Sequence, residues 1–404
     1  MQIIWGIFGV LFLLGLAFLL SKDKKAINVR TIAGALIIQV VFAFIVLKWE
    51  TGKNILGSVA AFVQRIIDSS NEGIQFVFGG LFEAEGIGFV FAFQVLTIII
   101  FFSSLISVLF YLGIMQFLTK IVGGFLSMLL KTTKPESLSA AANIFVGLTE
   151  APLVIKPYLS KMSNSELFAV ITGGTASVSG SVLVGYSLLG IPLEYLIAAA
   201  FMAAPAGLLM AKILIPETNT SAVEQTITFH KDPDTVNIID AASKGALDGL
   251  KMALNIGALL IAFISLISLA NLGLGWFSSL FGFEAITLEE ILGVLFAPLA
   301  FVIGVPWEEA VQAGSFIGQK FVLNEFVAYS SFASEIGSFS DKTVAIISFA
   351  LCGFANLGAM AMLLGGIGGL APDRRSDLAR FGFLAVIGGT LANLLSAAIA
   401  GMLL

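Results

Sequence analysis

Cysteine and histidine are nearly absent from this 404-residue chain, which carries only Cys352 and His230. A single thiol excludes a disulfide framework, and one thiol with one imidazole excludes a Cys/His metal cluster. Charge is scarce as well, at 12% of residues against about 25% in ordinary soluble domains. The net charge of −5 and a pI near 5.1 leave no basic footprint for a nucleic-acid polymer. Apolar residues fill the space, at 58% of the chain with a mean hydropathy of +1.01. One or two soluble cores would use only part of that, so the excess calls for lipid as the solvent. Soluble enzymes, nucleic-acid binders and disulfide scaffolds are excluded, and the sequence reads as an all-α integral membrane protein.

Crossing about 30 Å of hydrocarbon takes roughly 20 apolar residues as helix. Runs of that kind are 3–20, 31–47, 89–118, 167–189, 195–215, 250–272, 288–305, 344–364 and 378–404. The first lacks a basic n-region and an A-x-A site, so it reads as a span and not as a cleaved leader. Lys22, Lys24, Lys25 and Arg30 in one loop, and Arg374, Arg375 and Arg380 in another, place both loops in the cytoplasm. Both termini are then expected outside, and Lys120, Lys131 and Lys134 put the end of the third span inside. Segment 55–68 sets Gln64, Arg65 and Asp68 at helical spacing among apolar residues, the pattern of a helix lying at the interface or of a plain connector. The polar stretch from 216, which holds His230, reads as a cytoplasmic linker with a solvated histidine, and Cys352 as a small core residue.

Polar groups inside apolar membrane sequence are costly and point to function. Two clusters stand out: Asn143 to Pro152, centred on Thr149-Glu150, and Asn324 to Ser331, which opens with Asn324-Glu325. Gly147 and Pro152 interrupt the first, and both clusters read as re-entrant hairpins whose irregular tips line a site. Each hairpin is followed by a Gly-rich interruption of a span, at 173–180 and at 352–358. Paired interruptions in two halves mark a transporter's midplane site. Lysines flank the first hairpin (131, 134, 156, 161), whereas Glu308, Glu309, Glu335 and Asp341 flank the second. That opposite bias predicts an inverted repeat. Keeping the second hairpin on its side requires 288–305 to bend at Pro298, Gly304 and Pro306 without crossing. The expected architecture is about eight transmembrane helices, two re-entrant hairpins and an interfacial helix. Its parts are scaffold spans, interfacial helix and third span in 1–135, first hairpin and two spans in 136–215, linker in 216–245, and a scaffold span, second hairpin and two spans in 246–404.

The motifs Ser139-Ala-Ala-Ala-Asn143-Ile-Phe-Val-Gly-Leu-Thr-Glu150-Ala-Pro152, Asn324-Glu-Phe-Val-Ala-Tyr329 and Ser348-Phe-Ala-Leu-Cys-Gly-Phe-Ala-Asn356 resemble those of bacterial concentrative nucleoside transporters. The likeness runs over essentially the whole chain. It implies a homotrimer in the bacterial inner membrane, each protomer with a scaffold and its own mobile transport domain working by alternating access. It also implies nucleoside import driven by sodium, or by protons in some members, with no other cofactor. By motif position, the resemblance assigns the base to Thr149, Glu150 and the wall at Val182, and the ribose to Glu325 and Asn356 beside Phe354. It assigns sodium to the Asn143, Thr149 and Ser177 side chains and the Val146 and Val178 carbonyls. A carboxylate suits ribose hydroxyl donors, Asn356 both donates and accepts, and oxygens of unwound helix suit a hard cation. Two positions depart from the family pattern: Leu148 replaces a base-binding Gln, and Ala359 replaces a ribose-contacting Ser. Leu148 leaves room for purine nucleosides, or weakens pyrimidine binding.

Other classes fit less well. An intramembrane enzyme using Glu150 or Glu325 as acid or base lacks a neighbouring nucleophile or metal-ligand set. A channel conflicts with two inverted hairpins meeting at a closed site. Coupling to protons through either Glu keeps the carrier and changes only the ion.

Overall fold

The computed structural model describes residues 2–82, 90–218, 235–282 and 284–404, and every regular element among them is helical. His230 and most of the expected linker lie outside the described residues. The chain opens with α1 (Gln2–Leu19), α2 (Val29–Leu47) and α3 (Glu50–Phe82). Asn28 caps α2, its side chain accepting from the amides of Arg30 and Thr31 at 3.0 and 3.3 Å. The amphipathic pattern at 55–68 is part of α3, a longer helix of 33 residues.

After one π-helical turn at Ala92–Leu96 comes α4 (Thr97–Tyr111). Here the sequence reading needs correction, because the apolar run 89–118 is not one helix. Gly113 takes φ +80°, open to glycine and costly for other residues. The chain therefore turns into a separate helix, α5 (Ile114–Leu130), so Lys120 belongs to α5 and not to the end of the third span.

From α5 onward the element order repeats. The first unit is α5, α6 (Lys134–Ala142), a 3₁₀ arm (Ala151–Lys161), α7 (Asn164–Ala176), α8 (Gly180–Leu188) and α9 (Leu193–Leu214). The second is α11 (Leu288–Val302), α12 (Trp307–Val322), α13 (Glu325–Glu335), α14 (Asp341–Leu351), α15 (Ala359–Leu370) and α16 (Arg375–Leu403). Between them runs α10 (Ile238–Leu280), whose 43 residues far exceed the expected span 250–272. Helix α10 lies along α4, and Ser104 donates to the Ala242 carbonyl at 2.9 Å.

In each unit a short helix leads into a hairpin, a broken helix and a long helix. The second arm of the first hairpin is 3₁₀ instead of α because Pro152 and Pro157 each withhold an amide donor. In the second unit the chain bends by 116° between α11 and α12. Gly304 supplies the turn with φ +110°, as the Gly-Pro signals in 288–305 predict.

Among the described residues seven helices are long and apolar enough to cross a membrane, with α7 and α8 taken as one. The expected eighth, α14 with α15, is interrupted by an irregular stretch at 352–358. Burial separates two groups. Only 28%, 28%, 22% and 11% of the apolar windows of α1, α2, α4 and α10 are buried, against 94% for α7–α8, 94% for α9 and 78% for the last helix. The repeated units thus form the packed centre, and the other spans present apolar side chains outward, as lipid or a neighbouring subunit requires.

Two buried charges tie the first unit together. Lys212 on α9 pairs with Glu136 on α6 at 2.7 Å and donates to Ser165 on α7 at 3.0 Å. The other Glu136 oxygen accepts from the Thr133 amide at 2.7 Å, completing a capping box that starts the hairpin.

Candidate functional site

Each hairpin tip meets the helix break of its own unit, and the two breaks meet each other. In the first unit the Gly180 amide, which opens α8, donates to the Phe145 carbonyl at the hairpin tip at 3.0 Å. In the second, the Leu357 amide donates to the Phe321 carbonyl at 3.1 Å. These two bonds occupy equivalent places in the repeat. A third joins the units, from the Phe354 amide to the Ser177 carbonyl at 3.0 Å. The breaks are where unpaired backbone would otherwise be stranded, and these bonds satisfy part of it.

In the second unit Asn324 caps α13 through the Val327 amide at 2.9 Å, which places Glu325 in the first turn. Glu325 is 5% exposed and accepts from Asn356 Nδ2 at 2.9 Å, while Asn356 Oδ1 accepts from the Ala359 amide at 2.9 Å. The three residues therefore form one chain across hairpin and break, with Ala359 taking part through its backbone. Phe354 is half-buried two residues before Asn356.

In the first unit Asn143 is 1% exposed, and neither its Oδ1 nor its Nδ2 has a hydrogen-bond partner. Such a group costs free energy unless something else pairs with it. The other oxygens that the sequence singles out lie on the same tip and on the break bonded to it through Gly180 and Phe145. Ser177 is buried in extended backbone at the break, and among the described residues neither the Val146 nor the Val178 carbonyl accepts a hydrogen bond. Hydroxyl, amide and carbonyl oxygens in this mix suit a hard monovalent cation.

Thr149 reaches the second unit and packs against Gly366 of α15, where a Cβ would overlap its methyl group. Leu148 is buried against Gly174 of α7, where a Cβ would overlap its Cδ1. Glu150 is half-buried over Gly147, and its Oε2 has no hydrogen-bond partner. Val182 is buried in the first turn of α8. Among the described residues no hydrogen bond joins Glu150 to Glu325.

Cys352 is buried with its thiol 4.0 Å from the Leu196 carbonyl, a small core residue as expected. The sequence reading missed Tyr186, Lys320 and Asn393. Tyr186 on α8 has its ring 4.4 Å from Tyr329 and 4.7 Å from Phe326, both on α13, and is fully buried. Lys320 and Asn393 are buried polar residues beside the breaks. Asn393 was visible as a lone amide in the apolar run 378–404, the same signal that picks out Asn356.

Comparison with known proteins shows the family. Residues 195–401 match the family described as Na+ dependent nucleoside transporter C-terminus, residues 8–81 its N-terminus, and residues 92–192 a "Gate" family of nucleoside recognition. An uncharacterized transporter of Bacillus subtilis, YutK, is 56% identical over 100% of both chains. The nucleoside permease NupC of Helicobacter pylori is 47% identical over 99% of this chain and 97% of its own. The solved structure of CNTnw in an inward-facing substrate-bound state superposes with a TM-score of 0.95 at 52% identity, over 100% of this chain and 98% of that one. These relatives carry the names of transporters and permeases and not of enzymes. A two-unit helical membrane fold, matching breaks and this breadth of similarity lead to one conclusion: the chain belongs to the concentrative nucleoside transporter family.

Proposed function

We propose that this chain imports nucleosides by symport with sodium across the bacterial inner membrane, with its termini outside, and works as a homotrimer. In this reading both hairpins are re-entrant, and the two units form an inverted repeat that moves as the transport domain of each protomer. The division at 135, 215 and 245 then needs two changes: α5 goes with the first unit, and 238–245 goes with α10 and not with the linker. Thr149, Glu150 and Val182 would face the base, with Leu148 shaping that side from beneath. Glu325 and Asn356, with Phe354 and Ala359 beside them, would take the ribose. Asn143, Thr149, Ser177 and the carbonyls of Val146 and Val178 would hold the ion.

The unpartnered Asn143 amide carries the sodium reading. It sits at the hairpin tip among free carbonyls and lacks the partner that a purely structural residue would have. An ion bound there would order the tip that completes the base site, so ion and nucleoside would tighten each other reciprocally. The Na+ dependence in the matched family descriptions supports the same ion. A proton-coupled reading rests on the unpartnered Oε2 of Glu150. Uptake of labelled nucleoside into proteoliposomes under an imposed sodium or proton gradient separates the two. Sodium-driven accumulation above equilibrium, abolished by choline replacement, is the expected result. Accumulation unaffected by that replacement and driven by a proton gradient refutes the sodium reading. Competition by unlabelled purine and pyrimidine nucleosides in the same assay sets the base preference.

A further inference from the structure

Each broken helix leaves carbonyls without amide partners at the C-terminal end of its first half. Two side chains outside the expected ligand sets satisfy three of them. Asn393, on the unbroken α16, donates from Nδ2 to the Ala176 carbonyl at 2.6 Å and to the Cys352 carbonyl at 2.9 Å. Those carbonyls end α7 and follow α14, one in each unit. Lys320, on α12, donates to the Ala350 carbonyl at 2.8 Å and to Asn393 Oδ1 at 2.7 Å. All four hydrogen-bonding positions of this pair lie in the protein interior, with Lys320 2% and Asn393 3% exposed. The Lys320 Nζ lies at the C-terminal end of α14, where a donor complements the negative end of that helix.

The positions of the bonds give the pair a role beyond filling. Ala176 immediately precedes Ser177, and Cys352 lies four residues before Asn356. One amide group thus holds the backbone on the ion side and the backbone on the ribose side. Gly353 permits the close crossing, since a Cβ there would overlap the Asn393 amide and lie 2.8 Å from the Ala176 carbonyl.

We propose that Asn393, oriented by Lys320, is a positioning residue that transmits between the ion site and the nucleoside site. Its Nδ2, beside the Phe354–Ser177 backbone bond, fixes the distance between the two breaks, so a shift of Ser177 on ion binding moves Cys352 and with it Asn356. This rests on the sodium-symport reading above. The proposal concerns the link and leaves the ligands of either site unchanged.

The test is the factor by which saturating sodium tightens nucleoside binding to the purified full-length protein, measured for wild type, Asn393→Ala and Asn393→Ser. Reciprocal coupling of this kind is typically about 5–150-fold. Asn393→Ala is expected to lower the factor at least about threefold, because both carbonyl bonds are lost and only the Phe354–Ser177 bond still joins the breaks. Asn393→Ser donates a single bond, can hold only one break, and is expected to lower the factor less while keeping a folded protein if the alanine variant does not. Lys320→Gln, which removes the orienting charge but keeps a donor, is expected to retain part of the coupling. A side chain that merely fills space would lower thermal stability and leave the factor unchanged. Wild-type coupling retained in Asn393→Ser, or in Asn393→Ala where it folds, overturns the inference alone. A wild-type factor of one refutes the sodium reading, and the inference falls with it.

Discussion

Lys212→Met leaves the Glu136 carboxylate buried with its countercharge removed. The pair is 2.7 Å apart, with side chains 8% and 1% exposed. At an effective dielectric constant near 20 the attraction at that distance is about 6 kcal/mol, most of it offset by the cost of desolvating both ions. The net value of the pair is therefore small, whereas breaking it is expensive. Removing one partner of such a pair costs about 3–5 kcal/mol, so Lys212→Met is expected to lower the unfolding free energy by that amount. Glu136→Gln costs less, because its amide oxygen still caps Thr133 and Lys212 keeps Ser165. The double variant, which replaces the ions by a neutral pair of similar size, is expected to lose at least about 2 kcal/mol less than the sum of the single losses. Equilibrium unfolding in detergent micelles measures all four proteins, and sodium-driven uptake in proteoliposomes reports whether the surviving fraction is functional. Single variants within about 1 kcal/mol of wild type, or strictly additive losses, would refute this account of the pair.

Glu325→Gln keeps the shape of the Asn356 contact and removes the charge that strengthens bonds to hydroxyl donors. A loss of about 1.5–3 kcal/mol is expected, read as a rise of roughly 10–150-fold in nucleoside KM at saturating sodium. Asn143→Ala removes the two unpartnered amide atoms, and the sodium concentration for half-maximal uptake is expected to rise at least tenfold, about 1.4 kcal/mol, with little change in nucleoside KM at saturating sodium. An unchanged sodium requirement counts against the ion assignment. Leu148→Gln is nearly isosteric against Gly174 and adds a polar terminus on the base side, so competition assays are expected to show selectivity moving toward pyrimidine nucleosides. Unmoved selectivity means that Leu148 is not the determinant.

The hairpins and breaks were legible because they violate local rules of membrane sequence. Glu150, Glu325 and Asn356 sit where lipid would reject them, and Gly147, Pro152 and Gly304 sit where a helix would not continue. The turn at Gly113 was not legible, since one glycine inside an apolar run is tolerated in helices as often as it ends them. Only the backbone dihedral distinguishes the two cases. The span of α10 was underestimated because its ends are less apolar than its middle, and helix length there follows its packing along α4. Lys212 and Asn393 were visible as polar residues in the runs 195–215 and 378–404, but their partners come from helices remote in the chain. Glu136 lies 76 positions from Lys212, and Asn393 lies 217 positions from Ala176. Distances of that kind follow from the fold and from no periodicity.

The backbone bonds at the breaks, Gly180 to Phe145, Leu357 to Phe321 and Phe354 to Ser177, all begin and end within the two repeated units. Peptide groups exposed at membrane depth are the dearest thing a moving segment can strand, because acyl chains offer them no replacement partner. Here the amides of Gly180, Leu357 and Phe354 bring their partners with them. If the units move past α4 and α10 as proposed, these three amides stay paired throughout. The work of crossing would then fall on the passengers, on the groups that hold them and on the fit of side chains along the sliding face, with these three amides adding nothing to it.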